Sequence, residues 1–317
     1  MKLEKRKIVI IGCGHVGVST AFCLINQGLC DEIALIDLNE EKVLGEVLDL
    51  SQSIEYMNRN THIKVGRYED CEDAQIVIIT ASVPTPQSGN DRLKMLEPSL
   101  NVMKSIITQI KEHHFDGHLI VVSNPVDLMS YYAYKLSGLP ANQVIGTGTT
   151  LDTARLKYFI AQKIQVDPRS VHAMVIGEHG DSEMIPWSTV RIGGKDIYSV
   201  VQDNQSRLGQ EPYQQMKKDT IQAGWEIFNR KGNTCYGIAS STVGIIRTIL
   251  HNENQILPVS TLLRGEYGQD DLFISVPAII DRSGVREIVE LRMTPQEQEE
   301  FNQSCQRLKS FYDLLNQ

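Results

Sequence analysis

Lys7-Ile8-Val9-Ile10-Ile11-Gly12-Cys13-Gly14-His15-Val16-Gly17 is the stretch from which the fold is read. The unbroken apolar run Ile8 to Ile11 is the mark of a strand covered on both faces by helices. A Gly-x-Gly-x-x-Gly turn ends it, and an apolar-periodic helix from about Val16 to Asn26 follows. In that context each glycine has a steric task. Gly12 makes the tight turn, Gly14 lets the backbone approach a pyrophosphate, and Gly17 lets the helix lie against the strand. The helix N-terminus then presents its positive end to the phosphates. His15 and Val16 ride on the same turn and join the three glycines as candidate dinucleotide contacts, with His15 read as a surface residue, neither ligand nor base.

Outward from this turn, strands are expected at Glu32 to Asp37, His62 to Val65, Gln75 to Thr80, His118 to Val122 and Gln143 to Ile145, alternating with helical patterns. Strand-helix alternation selects an α/β fold, a doubly wound parallel sheet of the Rossmann type with right-handed crossovers. Asp37 ends the second strand 20 residues past Gly17. A carboxylate there accepts hydrogen bonds from a ribose diol and repels a 2′-phosphate, which points to NAD rather than NADP. Asn39 fits the N-cap of the following helix at least as well as Asp37 does, so the aspartate is left for the cofactor.

Beyond about Thr149 the rhythm changes to a mixed α+β pattern, giving an expected cofactor domain over 1–147 and a substrate domain over 148–317. A helix from Thr149 to Lys163 precedes antiparallel strands at Val171 to Ile176, Met184 to Ile192, Ile256 to Leu263 and Leu272 to Val276. Further helices are expected over Glu211 to Lys231, Thr234 to His251 and after Pro295. Between the two patterned regions of the first half, Ala81 to Arg92 is polar and breaker-rich, the composition of a lid at the end of a buried strand.

The net charge of -8 and the lack of a basic cluster longer than Lys2 to Lys7 argue against nucleic acid as a partner. That basic N-terminus precedes an apolar run too short for a secretory signal, and no stretch approaches the roughly 18 to 20 apolar residues of a membrane span. Cys13, Cys23, Cys30, Cys71, Cys235 and Cys305 are scattered without CxxC pairing, which fits structural thiols in a reducing cytoplasm and gives no metal site.

Hydride chemistry on a carbonyl needs a proton donor and a grip on the substrate. Gly177-Glu178-His179-Gly180-Asp181 and Leu151-Asp152-Thr153-Ala154-Arg155 supply both. His179 can give a proton near neutral pH, Asp152 can hold its other ring nitrogen, and Arg155, three residues along the same helix face, can clamp a carboxylate through two parallel N–H bonds. A lone histidine among glycines is usually structural, and an i,i+3 Asp/Arg pair is usually a surface pair; it is their combination that reads as a site.

These motifs, with SNPVD (Ser123 to Asp127), VIGTGTTLDTAR (Val144 to Arg155), KGNTCYGIA (Lys231 to Ala239) and the late FISVPAII, resemble the lactate dehydrogenase branch of the lactate/malate dehydrogenase family over essentially the whole chain. The resemblance implies that His179 is the proton-relay histidine, Asp152 its partner and Arg155 the carboxylate-binding arginine. It implies that Arg92 is a mobile lid arginine that polarises the carbonyl, and that Asn124, Thr234 and Ile238 line the substrate and nicotinamide pockets. Thr80, Ala81, Ser123, Asn124 and Thr147 are implied on the cofactor side, Thr147 where the family often has serine. A module that kept the fold but lost the chemistry is disfavoured, because Arg92, Asp152, Arg155 and His179 are all present.

The lid departs from the family pattern. Val83-Pro84-Thr85-Pro86-Gln87-Ser88-Gly89-Asn90-Asp91-Arg92 reads one residue longer, leaving Thr85, Pro86 or Gln87 at the position that selects the substrate side chain; Gln87 is the candidate of the type lactate enzymes carry. No Lys or Arg lies between Ala81 and Asp91, so a second substrate carboxylate would be enclosed unpaired, at a cost of several kcal/mol. Malate and oxaloacetate are therefore disfavoured against pyruvate and lactate, or against bulkier 2-oxo acids of the kind taken by related hydroxyisocaproate dehydrogenases. The resemblance further implies a homotetramer and, in some bacterial relatives, a fructose 1,6-bisphosphate site; Lys157 and His172 stand at its two cationic positions, with lysine lacking the fork of an arginine.

Overall fold

The computed structural model describes residues 5–83 and 92–315, and its contacts divide the chain into two compact units. The first contains Met1–Thr147, Cys235–Gln255 and Ile280–Arg286; the second contains Gly148–Thr234, Ile256–Ile279 and Glu287–Gln317.

In the first unit, β1 (Lys7–Ile11), β2 (Glu32–Ile36), β3 (His62–Val65), β4 (Ile76–Ile79), β5 (His118–Val121) and β6 (Val144–Gly146) are all parallel. Their order, β3-β2-β1-β4-β5-β6, is that of a doubly wound Rossmann sheet. β1, β2 and β4 are buried at every residue, which is why their sequences are continuous apolar runs and not alternating ones. Helices α1 (His15–Gln27), α2 (Glu40–Ser53), α3 (Arg92–Glu112) and α4 (Val126–Ser137) make the connections.

The winding direction reverses between β1 and β4, so the turn after β1 and the residues after β4 meet at the crevice where such sheets bind ligands. Gly12 has φ +103, and a Cβ there would stand 2.4 Å from the amide nitrogen of Ala81. A Cβ at Gly17 would stand 2.0 Å from the carbonyl oxygen of Gly12, so the first turn of α1 can sit this close only without a side chain. At the opposite, amino ends of the strands, Lys7 is 4% exposed and its ammonium is enclosed by Asp70, Asp73 and Glu32, which offsets the cost of burying it.

The second unit opens with α5 (Thr150–Ile164). It continues through a small antiparallel sheet of β7 (Val171–His172), β8 (Arg191–Ile192) and β9 (Lys195–Asp196), then α6 (Ile197–Asp203), α7 (Gln205–Leu208) and α8 (Pro212–Lys231). Its core gathers Leu156, Ile160 and Ile164 of α5 with Val171, Val190, Ile197 and Met216.

After α8 the chain returns to the first unit as α9 (Tyr236–His251), which packs on α1. β10 (Gln255–Arg264), β11 (Asp270–Asp281) and β12 (Gly284–Ile288) follow, and α10 (Pro295–Leu315) ends the described chain. α9 is apolar over most of its circumference, and Ala239, Thr242, Val243, Ile245, Ile246 and Ile249 are buried, as expected for a helix enclosed in a core.

The strands expected at Val171 to Ile176 and Met184 to Ile192 need correction. Only Val171–His172 and Arg191–Ile192 join a sheet, with an isolated bridge between Ile176 and Met184. Threonine side chains take the place of a neighbouring strand: the Thr149 hydroxyl donates to the Val175 carbonyl at 2.5 Å, and the Val175 N–H donates to the Thr153 Oγ1 at 2.8 Å. In the second segment Pro186 lacks an N–H, and Trp187–Thr189 closes into a single 3-10 turn. β12 is a strand that the expected pattern lacks altogether.

Candidate active site

The cofactor side is built on the β1–α1 turn. Gly14 caps α1 without any side-chain hydrogen bond, no acidic residue occupies the first turn, and a Cβ on Gly14 would meet nothing within 4 Å. Helix N–H groups left without a side-chain cap beside open space suit a phosphate. His15 is exposed, Val16 half-buried and Gly17 buried. Asp37 is oriented by its own backbone: Oδ2 accepts from the Cys13 N–H at 2.7 Å and Oδ1 from the Asn39 N–H at 3.1 Å. Asn39, not Asp37, caps α2 by accepting from the Lys42 N–H at 3.1 Å. Thr80 donates to the Gly12 carbonyl at 2.6 Å, and Ser123 to the Ala81 carbonyl at 2.5 Å. Ala81, Ser123 and Asn124 line one small cavity with Met129 and residues of α3. Thr147 is buried, whereas Ile238 on α9 is half-buried. The residues present therefore fit a dinucleotide: the glycine turn, the open helix end and the backbone-oriented carboxylate of Asp37 occur together.

The candidate reacting groups Asp152, Arg155 and His179 lie in the second unit. Asp152 sits in the first turn of α5, where the helix dipole favours its ionised form. The start of α5 is pinned by the Thr149 N–H on Ser275 Oγ at 3.1 Å and by the Thr150 hydroxyl on the Pro258 carbonyl at 2.9 Å. His179 is carried by a loop fixed independently. Gly177 exchanges two backbone bonds with Ser275 of β11, at 2.9 and 3.2 Å, and the Glu178 N–H donates to Ser304 of α10 at 2.8 Å. Arg307 of α10 adds contacts to Glu178 at 3.2 Å and Asp181 at 3.4 Å. Gly177 has φ +95 with Ser304 Oγ 2.8 Å from where a Cβ would lie, so a side chain at this position would dislodge the loop.

Asp152 divides its two oxygens. Oδ2 is 2.6 Å from Nδ1 of His179, and Oδ1 accepts from Nη1 of Arg155 at 2.9 Å. The Asp152 and Arg155 side chains are 3% and 15% exposed, so this is not the solvated i,i+3 pair that the spacing alone suggests. Burial by itself would raise the Asp152 pKa, but His179 and Arg155 outweigh it and hold the carboxyl below its usual range. Beyond Arg155 lies Gly224 of α8, where even a Cβ would come within 3.3 Å of the guanidinium. A carboxylate flanked by an imidazole and a guanidinium can hold a proton donor and an anion grip side by side.

Residues 6–146 match the NAD binding domain of lactate/malate dehydrogenase, and residues 149–315 match its alpha/beta C-terminal domain. The chain belongs to the lactate/malate dehydrogenase family. It is 46% identical over 315 residues to L-lactate dehydrogenase 3 of Bacillus anthracis, covering 99% of each chain. It is 45% identical to the L-lactate dehydrogenase of Lactococcus lactis subsp. cremoris (strain MG1363), over 99% of this chain and 100% of the relative. Among solved structures it resembles the minor L-lactate dehydrogenase from Enterococcus mundtii in its ligands-bound form, with TM-score 0.94, 45% identity and coverage of 98% and 99%. As a member of the lactate/malate dehydrogenase family the chain is an oxidoreductase that uses NAD.

Of the residues singled out in the sequence, Asp152, Arg155 and His179 come together. Thr234 is half-buried at the end of a segment of the same unit, and Asn124 is exposed at the start of α4 in the other. Gln87, with Thr85 and Pro86, lies outside the described residues, as does the side chain of Arg92, whose backbone opens α3. Lys157 is half-buried on α5, where burial pushes its ammonium pKa down, and His172 is exposed on β7.

Glu183 is a site residue that motif reading passes over. It is 3% exposed, and one of its oxygens lies within 4.8 Å of both an Asp152 oxygen and a His179 ring nitrogen. Its signal in the sequence is a carboxylate directly before the apolar Met184-Ile185-Pro186, a place where a charge has no water to face. Two carboxylates and a histidine at this spacing could hold a cation, but both Asp152 oxygens are engaged and Arg155 sets a positive charge against them. The group is arranged for proton chemistry.

Proposed function

We propose that the chain interconverts pyruvate and (S)-lactate, with residues 1–147 providing the glycine turn and Asp37 for the cofactor and 148–317 providing Asp152, Arg155 and His179 for the substrate and proton. The observation that carries this reading is the division of the Asp152 carboxylate between His179 and Arg155. When bound, NADH supplies the hydride. Arg155 grips the substrate carboxylate with the guanidinium edge not used by Asp152. His179 delivers a proton to the carbonyl oxygen, and Asp152 stabilises the imidazolium that precedes delivery and keeps the ring oriented. The resemblance gives Arg92 the role of the cation that stabilises the developing alkoxide, Gln87 that of the residue selecting the substrate side chain, and Asn124 and Thr234 those of substrate contacts. His15, Val16, Thr80, Ala81, Ser123, Thr147 and Ile238 complete the cofactor's surroundings beside Gly12, Gly14, Gly17 and Asp37.

The lack of any Lys or Arg between Ala81 and Asp91 supports a monocarboxylate. NADH oxidation with pyruvate, 4-methyl-2-oxopentanoate and oxaloacetate, each with and without fructose 1,6-bisphosphate, tests substrate and effector together. Pyruvate is expected to be turned over fastest, with a weak or absent response to the bisphosphate, because Lys157 offers one charge where an arginine offers a fork. Faster turnover of oxaloacetate overturns the charge argument, and preference for the branched acid assigns the longer lid to bulkier substrates. We further propose a homotetramer and a cytoplasmic setting. The six free thiols favour a reducing compartment, and no helix among the described residues is long and apolar enough to cross a membrane.

For the cofactor, Asp37→Asn is expected to lower the preference for NADH over NADPH by about tenfold or more, since it removes the charge that repels a 2′-phosphate while keeping an acceptor for the Cys13 N–H. The ratio of kcat/KM values with the two coenzymes measures it. An unchanged ratio removes Asp37 from the discrimination.

A further inference from the structure

Among the described residues, Glu183 is a buried group at the candidate site for which the proposed reaction has no use. It reaches the site from the loop that carries His179, four residues on, and it is 3% exposed. Its Oε1 is buried and has no hydrogen-bond partner among the described residues. An ionised carboxylate with a bare, dry oxygen is costly, whereas a protonated carboxyl leaves only a neutral carbonyl unpaired.

The charges around it explain what this does. Asp152 faces it from α5 with a negative charge, and burial together with that charge pushes the Glu183 carboxyl up to about 8. Three groups pull the other way: His179 from the same loop, Arg155 from α5 and Lys217 from α8. Lys217 is itself 3.7 Å from Glu300 of α10, and Arg155 and His179 each hold one oxygen of Asp152; of these cations His179 is the one that lies within 4.8 Å of a Glu183 oxygen and whose charge changes near neutral pH. Because Glu183 and His179 lie within 4.8 Å, the charge of each depends on the proton of the other.

We propose that Glu183 and His179 hold the last dissociable proton of the site jointly, so that Glu183 extends upward the pH range in which a proton is available for carbonyl reduction. Glu183 is a positioning residue for that proton; it does not touch the substrate. As pH rises, loss of the first proton leaves either a neutral carboxyl beside neutral imidazole or a carboxylate beside imidazolium. The second arrangement is the one competent for reduction, and the carboxylate within it holds the imidazolium proton to higher pH. With glutamine at 183 that support is missing. The sign is opposite for the two directions, since reduction needs imidazolium and oxidation needs neutral imidazole.

This inference rests on the proposed roles of His179 and Asp152, and the experiment separates the two. Pyruvate reduction and lactate oxidation are followed across pH 6 to 10, that is, over roughly the interval in which histidine and a raised carboxyl titrate, for the native protein, Glu183→Gln and Glu183→Asp. In Glu183→Gln the alkaline fall of kcat/KM for reduction is expected to begin about 1 pH unit lower, so that its ratio to the native value drops about tenfold between neutral and alkaline pH. Oxidation in the same variant is expected to gain at the acid side. Glu183→Asp, which keeps a titrating carboxyl, restores part of the alkaline limb. The pH dependence of inactivation by diethyl pyrocarbonate, which attacks neutral imidazole, gives the same displacement without turnover. A loss equal at all pH values and in both directions marks a merely structural role and overturns the proposal, as does an unmoved profile. No reduction of any 2-oxo acid by the native protein overturns the underlying functional reading instead.

Discussion

His179→Gln is expected to lower turnover in pyruvate reduction by about a thousandfold, roughly 4 kcal/mol of barrier, which is the middle of the range for loss of a general acid. Glutamine matches the reach of the ring and keeps an N–H for Oδ2 of Asp152, so the buried carboxylate is not stranded; alanine would strand it and add a stability loss of about 1 to 3 kcal/mol. The variant should therefore melt close to the native protein. NADH binding, read by quenching or enhancement of nucleotide fluorescence, should be nearly unchanged, because the glycine turn and Asp37 belong to the other unit. Near-native turnover in this variant would remove His179 from the reaction.

Arg155→Lys, a change that conserves charge, is expected to cost about as much in kcat/KM, again on the order of a thousandfold. The guanidinium has two obligations at once: Nη1 on Oδ1 of Asp152 at 2.9 Å, and a remaining edge for the substrate carboxylate. A lysine ammonium is a single compact charge. It can serve the buried Asp152 or the substrate, and the attraction of a 3% exposed carboxylate decides for Asp152. The loss should then appear mainly as a raised KM for the 2-oxo acid, with kcat reduced less, the pattern of lost ground-state binding. An unaltered KM for pyruvate would show that the anion is held elsewhere.

Much of the fold was legible because its decisive patterns are local. An apolar run, a glycine turn and a periodic helix are written in consecutive residues, and β1, the turn and α1 form as those residues require. The pairing of Asp152 with His179 spans 27 residues, yet each carries its own local mark, a first-turn acid on a helix and a histidine in a glycine-rich loop. What escaped depends on partners that sequence does not bring together. Val171 to Ile176 has the composition of a strand, but Thr149 and Thr153 take the backbone groups of Val175. Glu183 belongs to no motif, and only the fold reveals that it is buried beside Asp152 and His179. Ser304 and Arg307, more than 120 residues beyond the histidine loop they fix, carry no signal on an amphipathic helix.

The path of the backbone has a consequence for how the molecule comes into being. The chain passes from one unit to the other after Thr147, Thr234, Gln255, Ile279 and Arg286. α1, which follows the glycine turn, is packed against α9, more than 200 residues later. The cofactor-binding unit is therefore not a cassette that a ribosome can finish, or an engineer can excise, at residue 147. Its assembly waits for residues 235–255 and 280–286 to be synthesised, by which time most of the other unit has emerged. A new substrate specificity thus cannot be grafted by exchanging one contiguous segment of the chain, since the backbone passes between the two units five times.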